Sequence, residues 1–591
     1  MITMRSSALA AALVLVSGHG EAQGTASLLL DIRPGASSSN VNAMIGGDDA
    51  VYFLATTGCS PSCTGGLFRS DGTTAGTYQV SFPGQTGTPR SPLLYHQGRL
   101  FFGGATAATG QELFVAVGGT ATLVRDIAPG TASSSYRDLT AGPGGVIYFF
   151  AQEASSGLEL WRTDGTPSGT LLVKDIQPGP TSGIRNPLTP NGKYLVPYEG
   201  HVYFEATDGM SGYELWRSDG TNAGTVRVAD LQSGSGSSSP QHLTSANGLL
   251  YFTATTTAAG HEPYAFDGTS VISLGDLYVG TNGSIPIPGS GGTSFVEANG
   301  TVFFTARNST NGYELWKTDG TASGTSEVID LFPGFDGSFP GSFANLGDLL
   351  LFQAEDDGSF GRYPFRSDGT AAGTTRLSST LIQTGQIFAL QGAQRAVFTS
   401  GSLSTQLYRT DGTSAGTVLH QTLRAGGSSQ PGSYLAWRDK IFFTADNGAT
   451  GLEPWVMSSM AYSQPFGFGC AGTGGLVPRI ESGAAPTLGN SSFRIELDRA
   501  LPFAPAFLGM GFVPFDFAIG GGCSLYFLPP PFPFFPTTTD ANGEAAITIP
   551  IPNLFLYEGL VMDTQYFVVD PLGALSGLAL SGGLRTVLQF Q

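Results

Sequence analysis

Two acidic positions recur along this 591-residue chain, and their side chains are the ones most able to do chemistry in it. A glutamate opens an ELW-type triplet in six places, and an aspartate stands before Gly in a DGT-type turn in seven. Two carboxylates held about 5 to 10 Å apart can catalyse glycoside hydrolysis. Clustered carboxylates can instead bind calcium. The glutamates are Glu112, Glu159, Glu214, Glu262, Glu314 and Glu453, and the aspartates are Asp71, Asp164, Asp219, Asp267, Asp319, Asp368 and Asp411.

Their repetition favours a structural role over a catalytic one. A residue that recurs in every unit is distributed over the whole molecule, whereas an active site is a single asymmetric place. Asp before Gly is typical of a tight turn, because the carboxylate accepts hydrogen bonds from the backbone that follows and Gly tolerates positive φ. We therefore predict turn-stabilising aspartates and no catalytic, cofactor-binding or metal-binding residue. Calcium stays the alternative, although TDGT offers one carboxylate where a calcium loop offers three.

Other chemical motifs are missing from the sequence. The histidines beyond the N-terminal segment have neither HxH nor HExxH spacing, so they predict no zinc site. No G-x-S-x-G nucleophile motif and no P-loop occurs. These histidines are His96, His201, His242, His261 and His420.

An aromatic residue in each ELW-type triplet defines nine units with a period of 43 to 55 residues. A period of this length indicates an array of similar supersecondary units. Within a unit, alternating runs such as HVYFEATD at residue 201 predict short half-buried strands, about four per unit. We predict that the aromatics form core between units, with a sugar-stacking platform as the alternative. They are Phe68, Phe114, Trp161, Trp216, Tyr264, Trp316, Phe365, Tyr408 and Trp455.

The two ends of the array predict how it closes. The ninth unit lacks the final V-x-D-I strand, whereas ASLLLDIRPG at residues 26–35 is such a strand at the start of the chain. Pairing of this strand with the last unit would remove both exposed sheet edges. We predict an all-β fold: a single closed β-propeller of eight or nine four-stranded blades, with an open solenoid as the alternative.

The chain divides into three predicted segments. Residues 1–22 combine Arg5, a short apolar run and small residues before a cleavage site, as in an export signal. Residues 26–460 form the propeller of about nine repeats. Residues 464–591 lose the period and show short alternating runs between Gly, Pro and Asn-Gly turns, which predict a small antiparallel β-sandwich.

Cysteine content and charge set the compartment and the partners that we expect. Four cysteines in an exported chain predict two disulfides, Cys59 with Cys63 and Cys470 with Cys523. The net charge of −18 disfavours nucleic acid, which binds clustered Lys and Arg. No apolar segment after the signal is long enough to span a membrane. We expect a monomer at an extracellular, cell-surface or periplasmic location.

Residues 28–459 resemble the exported bacterial family named for its ELWxxDGT repeat. The motif is complete at Glu159–Thr166, Glu214–Thr221 and Glu314–Thr321 and degraded elsewhere, with YPFRSDGT and QLYRTDGT departing at the glutamate. The C-terminal region resembles a domain found at the ends of many exported planctomycete proteins, through GFGCAGTGG, GGCSLYF and TTTDANGEA. These resemblances imply a propeller and an envelope or extracellular address, and bring no catalytic residue.

Two classes of function follow. The first is an exported, non-catalytic propeller that binds a polysaccharide or a cell-envelope protein through loops at one end of the ring. The second is a propeller hydrolase or lyase acting on glycans, with unique residues at the ring mouth. The lack of a recognisable catalytic motif favours the first.

Overall fold

The computed structural model describes residues 24–588 with internal gaps. The gaps are residues 60–62, 82–87, 118–119, 186–193, 287–294, 360, 381–382, 391–394, 402–404, 439, 459–461, 467–468, 483–485, 487–489, 513, 521–522, 528–533, 553–559 and 576. The predicted export signal lies outside the described residues. Strands account for 49% of the structure, which confirms the all-β prediction.

Nine four-stranded antiparallel sheets make up the chain from its first strand, β1, to residue 458, and we number these units 1 to 9. The first strand is β1 (Ser27–Leu28). Unit 1 contains β2 (Asn42–Gly46), β3 (Val51–Cys59), β4 (Cys63–Ser70) and β5 (Tyr78–Val80). Unit 2 contains β6 (Arg90–His96), β7 (Arg99–Gly104), β8 (Glu112–Val117) and β9 (Thr120–Leu123). Unit 3 contains β10 (Arg137–Ala141), a 3-10 turn (Pro143–Gly145), β11 (Ile147–Glu153), β12 (Gly157–Thr163) and β13 (Leu171–Lys174).

The next three units repeat this order. Unit 4 contains β14 (Leu195–Tyr198), β15 (His201–Ala206), β16 (Glu214–Ser218) and β17 (Val226–Arg227). Unit 5 contains β18 (Gln241–Ala246), β19 (Leu249–Thr256), β20 (Gly260–Phe266) and β21 (Val271–Ser273). Unit 6 contains β22 (Val296–Ala298), β23 (Thr301–Ala306), β24 (Glu314–Thr318) and β25 (Ser326–Ile329).

The last three units end with one that borrows a strand. Unit 7 contains β26 (Gly341–Asn345), β27 (Leu350–Ala354), β28 (Tyr363–Ser367) and β29 (Thr375–Arg376). Unit 8 contains β30 (Gln383–Leu390), β31 (Arg395–Ser400), β32 (Gln406–Thr410) and β33 (Val418–Gln421). Unit 9 contains β34 (Gly432–Trp437), β35 (Lys440–Asp446) and β36 (Leu452–Ser458), and its fourth strand is β1.

Strand β1 brings the two ends of the array together. Ser27 lies opposite Val456 and Leu28 opposite Trp455 in an antiparallel pair. The amide of Ser39 donates to Glu453 Oε1 at 3.1 Å, 414 residues away. Units 1 and 9 also share a hydrophobic cluster with side chains from both, including Phe53, Phe68, Trp437, Phe442 and Val456.

Strands β37 to β47 form three further antiparallel sheets, which we call the C-terminal sheets. The largest pairs β37 (Tyr462–Phe466), β47 (Gly583–Val587), β45 (Val561–Val569), β40 (Pro505–Gly511) and β43 (Phe534–Thr538), with β46 (Leu578–Leu580) on β45. The second pairs β38 (Arg479–Ser482), β39 (Arg494–Asp498) and β44 (Ala545–Thr548), and the third pairs β41 (Pro514–Gly520) with β42 (Cys523–Phe527). A 3-10 turn spans Thr473–Gly475.

The two larger C-terminal sheets enclose a hydrophobic core of their own. Ile495 and Leu497 of β39 pack in one buried cluster with Leu508 of β40 and Tyr566 of β45. The Tyr566 hydroxyl donates to the carbonyl of Ile495 at 2.8 Å and links the sheets. The boundary that the sequence predicts between residues 460 and 464 stays a prediction.

Candidate functional site

A cavity of about 900 Å³ lies among the first strands of six units. Its walls come from β2, β6, β10, β14, β18 and β34, and Tyr526 and Arg585 of the C-terminal sheets complete its lining. Each of these first strands is at the end of its sheet, hydrogen-bonded to one neighbour. A cavity of this size holds a small molecule or a few residues of a peptide.

An irregularity in the strand β10 coincides with an acidic residue of the cavity lining, Asp138. The pairing of β10 with β11 shifts register between Arg137 and Thr140, and Asp138, in the shift, has φ +56°. Left-handed backbone is unfavourable by roughly 1 kcal/mol for a residue with a Cβ. Similar register shifts place positive φ at the equivalent residues of other units, which are Ala43, His242, Ser342 and Ser433.

Asp138 has the properties of a group that exchanges protons near neutral pH. Its Oδ2 atom is buried and makes no hydrogen bond within the described residues. Burial raises the pKa of Asp138 to about 6, against the opposing charge of the adjacent Arg137. Buried polar atoms normally have partners, and perturbed carboxyls inside cavities mark candidate functional sites.

A second group of polar side chains lies where the cavity meets the C-terminal sheets. The Tyr95 hydroxyl donates to Asp48 Oδ2 at 3.2 Å. Burial raises the pKa of Asp48, and the charges of Arg585 and Arg438 oppose the shift. His96, also in the lining, has its Nε2 atom 3.3 Å from the carbonyl of Gly145. Burial lowers the pKa of His96, so this ring is neutral at pH 7.

The sequence prediction contained no catalytic residue and therefore missed Asp138 and Asp48. One signal was available: in YRDLTAG, Arg137 and Asp138 interrupt the first strand of a unit where the other units carry no such charged pair. The cavity itself could not be predicted, because its lining combines residues from eight places in the chain.

The repeated aspartates lie in exposed turns, away from the cavity. In unit 3, Asp164 Oδ1 accepts hydrogen bonds from the amide and the hydroxyl of Thr166 at 2.8 and 2.7 Å, and Gly165 has φ +86°. The same two bonds recur at Asp71, Asp219, Asp267, Asp319, Asp368 and Asp411.

The repeated glutamates are buried inside their units. Glu314 Oε1 accepts the amide of Ser338 at 2.8 Å, and Oε2 accepts the Ser338 hydroxyl at 2.5 Å. Burial raises the pKa of Glu314 to about 7. Glu159 differs because Gly183 stands at the position of that serine: its Oε2 atom is buried without a partner in the described residues. Burial raises the pKa of Glu159 to about 8.

Eight of the nine repeated aromatics are less than a tenth exposed, and Tyr408 is half-buried. Trp161 contributes to the cluster between units 2 and 3, and Trp216 to the cluster between units 3 and 4. None of the nine lines the cavity.

Of the two predicted disulfides, Cys470–Cys523 is confirmed. It links the loop after β37 to β42 within the C-terminal sheets. Cys59 is disulfide-bonded and lies opposite Cys63 across β3 and β4, but the side chain of Cys63 lies outside the described residues, so that pairing stays a prediction.

Among the described residues, no group of three or more His, Cys, Asp or Glu side chains is placed to hold a metal ion. Nδ1 of His201 lies 2.9 Å from the backbone carbonyl oxygen of Glu199. In the described part of the chain, no helix has the length and apolar character needed to cross a membrane.

Comparisons with known proteins give structural matches alone. No family model matches the chain, and no curated protein matches it. A prolyl endopeptidase structure matches with TM-score 0.34 and 10% identity over 79% of this chain and 55% of that one. A puromycin-hydrolysing peptidase of Mycobacterium tuberculosis matches with TM-score 0.32 and 12% identity over 64% and 62%. A puromycin hydrolase matches with TM-score 0.32 and 11% identity over 80% and 65%.

These matches contradict the predicted function. The matched proteins are a prolyl endopeptidase and puromycin hydrolases, so the prediction of a non-catalytic module for a polysaccharide or envelope partner is wrong. At these identities and TM-scores, the likeness does not carry the activity of those enzymes to this chain. The chain also spans less than two thirds of the length of each.

Proposed function

We propose that units 1 to 9 form one closed nine-bladed β-propeller. The first strands of the units support this proposal, because each contacts the next in a complete cycle from β2 through β6, β10, β14, β18, β22, β26, β30 and β34 back to β2. The indole Nε1 of Trp437 in unit 9 donates to the carbonyl of Gly47 in unit 1 at 2.6 Å, at the point of closure.

Membership of the ELWxxDGT-repeat family and export from the cytosol belong to the same proposal. The Cys470–Cys523 disulfide supports export, since such bonds persist in oxidising compartments. Release of a chain lacking residues 1–22 into the medium or periplasm, measured by N-terminal sequencing, tests the address.

We further propose that the cavity binds a short peptide and hydrolyses it with Asp138 as general base. The observation that carries this proposal is Asp138 among the residues that line the cavity, with the pKa of its carboxyl raised by burial to about 6 and its Oδ2 atom without a hydrogen-bond partner in the described residues. The strands that form the walls are edge strands. An extended peptide pairs with such an edge through its backbone, and side-chain pockets then select its sequence.

The proposed reaction uses water as the nucleophile. Ionised Asp138 removes a proton from a water molecule as its oxygen bonds to the peptide carbonyl carbon. The protonated carboxyl then returns this proton to the leaving amine as the C–N bond breaks, so that one water is consumed and Asp138 is regenerated. A general base is most effective with a pKa near the working pH, and Asp138 satisfies this condition above pH 6.

The test is incubation with a mixed peptide library, followed by mass spectrometry for new termini. We expect cleavage by the native protein, with kcat/KM rising through about pH 6, and a loss of 100-fold or more in Asp138→Asn, roughly the value of a general base. Asp267→Asn is the matched control, because Asp267 lies in an exposed turn and is not part of the lining. The proposal fails if no termini form or if Asp138→Asn cleaves as fast as Asp267→Asn.

A further inference from the structure

The C-terminal sheets contact the same region in several successive units. This region is the end of the first strand together with the turn that joins it to the second strand. In unit 4, Glu199 Oε1 accepts a hydrogen bond from Arg499 Nη2 at 2.6 Å. In unit 5, Asn247 Oδ1 lies 3.4 Å from Nη1 of Arg479, and in unit 6 Glu297 Oε2 lies 3.4 Å from its Nη2.

The contacts continue on the other side of the cavity. In unit 3, the 3-10 turn between β10 and β11 touches β42. In unit 1, the Arg585 guanidinium lies near enough to Asp48 to oppose the rise of its pKa. Arg585 and Tyr526 themselves line the cavity. The C-terminal sheets therefore lie across one end of the cavity, in contact with units 3, 4, 5 and 6 and within range of the Asp48 charge in unit 1.

The character of this contact differs from that of the interfaces between units. Units meet through buried apolar clusters, for example that of Tyr148, Phe150, Phe204 and Trp216. Between the C-terminal sheets and units 4 and 6 lie ion pairs whose side chains are partly exposed: 26% and 16% for Arg499 and Glu199, and 31% and 17% for Arg479 and Glu297. One apolar contact is also present, where Val561 of β45 packs against the cluster of units 8 and 9. Exposed ion pairs contribute little to stability and are screened by salt. The sheets also keep their own core, so they can separate from the turns without unfolding.

From this geometry we infer that the C-terminal sheets are a cap, held by ion pairs at Glu199 and Glu297, that closes one mouth of the cavity and opens to give access to it. This inference rests on the proposed function in one respect only, which is that the cavity is the site where the substrate binds. It predicts that a substitution at these two glutamates changes access to the cavity and leaves the cavity wall intact.

The test measures access directly with a cysteine probe. Ala141 lines the cavity, is 6% exposed and lies beside the turn that touches β42. Because the described residues include no free cysteine, Ala141→Cys can be labelled with N-ethylmaleimide under non-reducing conditions. The rate is compared between the native background and Glu199→Gln/Glu297→Gln. Val117→Cys, on an outward position that is 53% exposed, reports reagent reactivity.

We expect the double substitution to accelerate labelling of Ala141→Cys by up to about fivefold for each ion pair lost, with Val117→Cys unchanged. High salt should accelerate the native background and have little effect on the double variant. Glu496→Gln is the matched control, because Glu496 pairs with Arg494 inside the C-terminal sheets. Equal rates in native and double-variant backgrounds, or an equal acceleration by Glu496→Gln, would overturn the inference. Since labelling needs no peptide cleavage, this result is independent of the hydrolysis experiment.

Discussion

The glutamate of unit 3 offers a precise test of how the units are held together. Unit 8 carries Gln406 at the equivalent position. Its Oε1 accepts the amide of Leu423 at 2.9 Å, and its Nε2 donates to the carbonyls of Arg424 and Gly427 at 2.9 and 2.8 Å. A glutamine side chain therefore fits at this position of a unit, with its amide nitrogen donating to backbone carbonyl oxygens. Glu159→Gln places the same amide in unit 3, where the Oε2 of the native glutamate has no partner in the described residues.

The magnitude follows from the protonation of Glu159. Its pKa is about 8 in the fold and 4.5 in the unfolded chain, with burial as the main cause. Because the folded value is the higher one, the stability contributed by this group is complete below pH 4.5 and is lost as the pH rises toward 8. The loss is about 1.4 kcal/mol per pH unit, or an upper value of about 3 kcal/mol at pH 7. Glutamine does not titrate, so the variant avoids this loss.

The assay has two parts. Infrared difference spectra at pH 7 should show the carbonyl band of a protonated carboxyl in the native protein and lose intensity there in Glu159→Gln. The unfolding midpoint of the variant, relative to the native protein, should rise between pH 5 and pH 8 by roughly 3 °C for a chain of this size.

Two further substitutions serve as controls. Glu214→Gln should destabilise unit 4, because Glu214 Oε1 accepts the Ser238 amide at 2.9 Å and Oε2 accepts the Leu231 amide at 3.1 Å, so the glutamine nitrogen would face a backbone donor in either orientation. Gly183→Ser restores the serine of units 5 and 6 and should move the pKa of Glu159 toward the value of about 7 that Glu262 and Glu314 have. An unchanged infrared band, with a midpoint difference that is constant from pH 5 to pH 8, would refute the reasoning.

Three other outcomes follow from contacts described above. Asp319→Ala removes two hydrogen bonds from Thr321 and should lower the free energy of unfolding by about 1 kcal/mol. Because the bonds from Thr321 lower the pKa of Asp319, this loss of stability should vanish in acid. A loss that persists in acid would contradict the prediction. Cys470→Ser/Cys523→Ser opens a loop of 53 residues and should lower the stability of the C-terminal sheets by up to about 4 kcal/mol, measured by urea unfolding, while an unchanged midpoint would argue against it. Deleting residues 24–35 removes β1 and should expose the edge of β36, which is measured as faster amide exchange in unit 9; exchange equal to that of the full chain would mean that β1 does not protect unit 9.

The periodic parts of the fold could be predicted because each unit repeats the same local chemistry. Alternating runs, an Asp-Gly turn and one aromatic define a unit without reference to its neighbours, and ASLLLDI identified β1 because it matches the end of a unit. The nine sheets and the pairing of β1 with β36 agree with these signals.

The cavity could not be predicted for the opposite reason. The first strands of the units share no motif, and Asp138 owes its position to a register shift that alternation does not encode. Its surroundings also depend on Tyr526 and Arg585, almost 400 residues or more beyond it in sequence. The special state of Glu159, in contrast, is readable from the sequence once units are compared, because Gly183 stands where units 5 and 6 have serine.

The pairing of β1 with unit 9 has a consequence for how the protein is made. During synthesis or export the N-terminal strand emerges first, and the strand it pairs with follows more than 400 residues later. Until then, β1 has no partner and unit 9 does not exist, so the nascent chain presents unpaired sheet edges that are prone to intermolecular pairing. A chain cut short by even one unit would keep both edges exposed, whereas an open repeat array tolerates the loss of a terminal repeat. The repeat region must therefore be complete before the protein has a surface without unpaired strand edges. A quality-control protease could distinguish finished from unfinished chains by these unpaired edges alone.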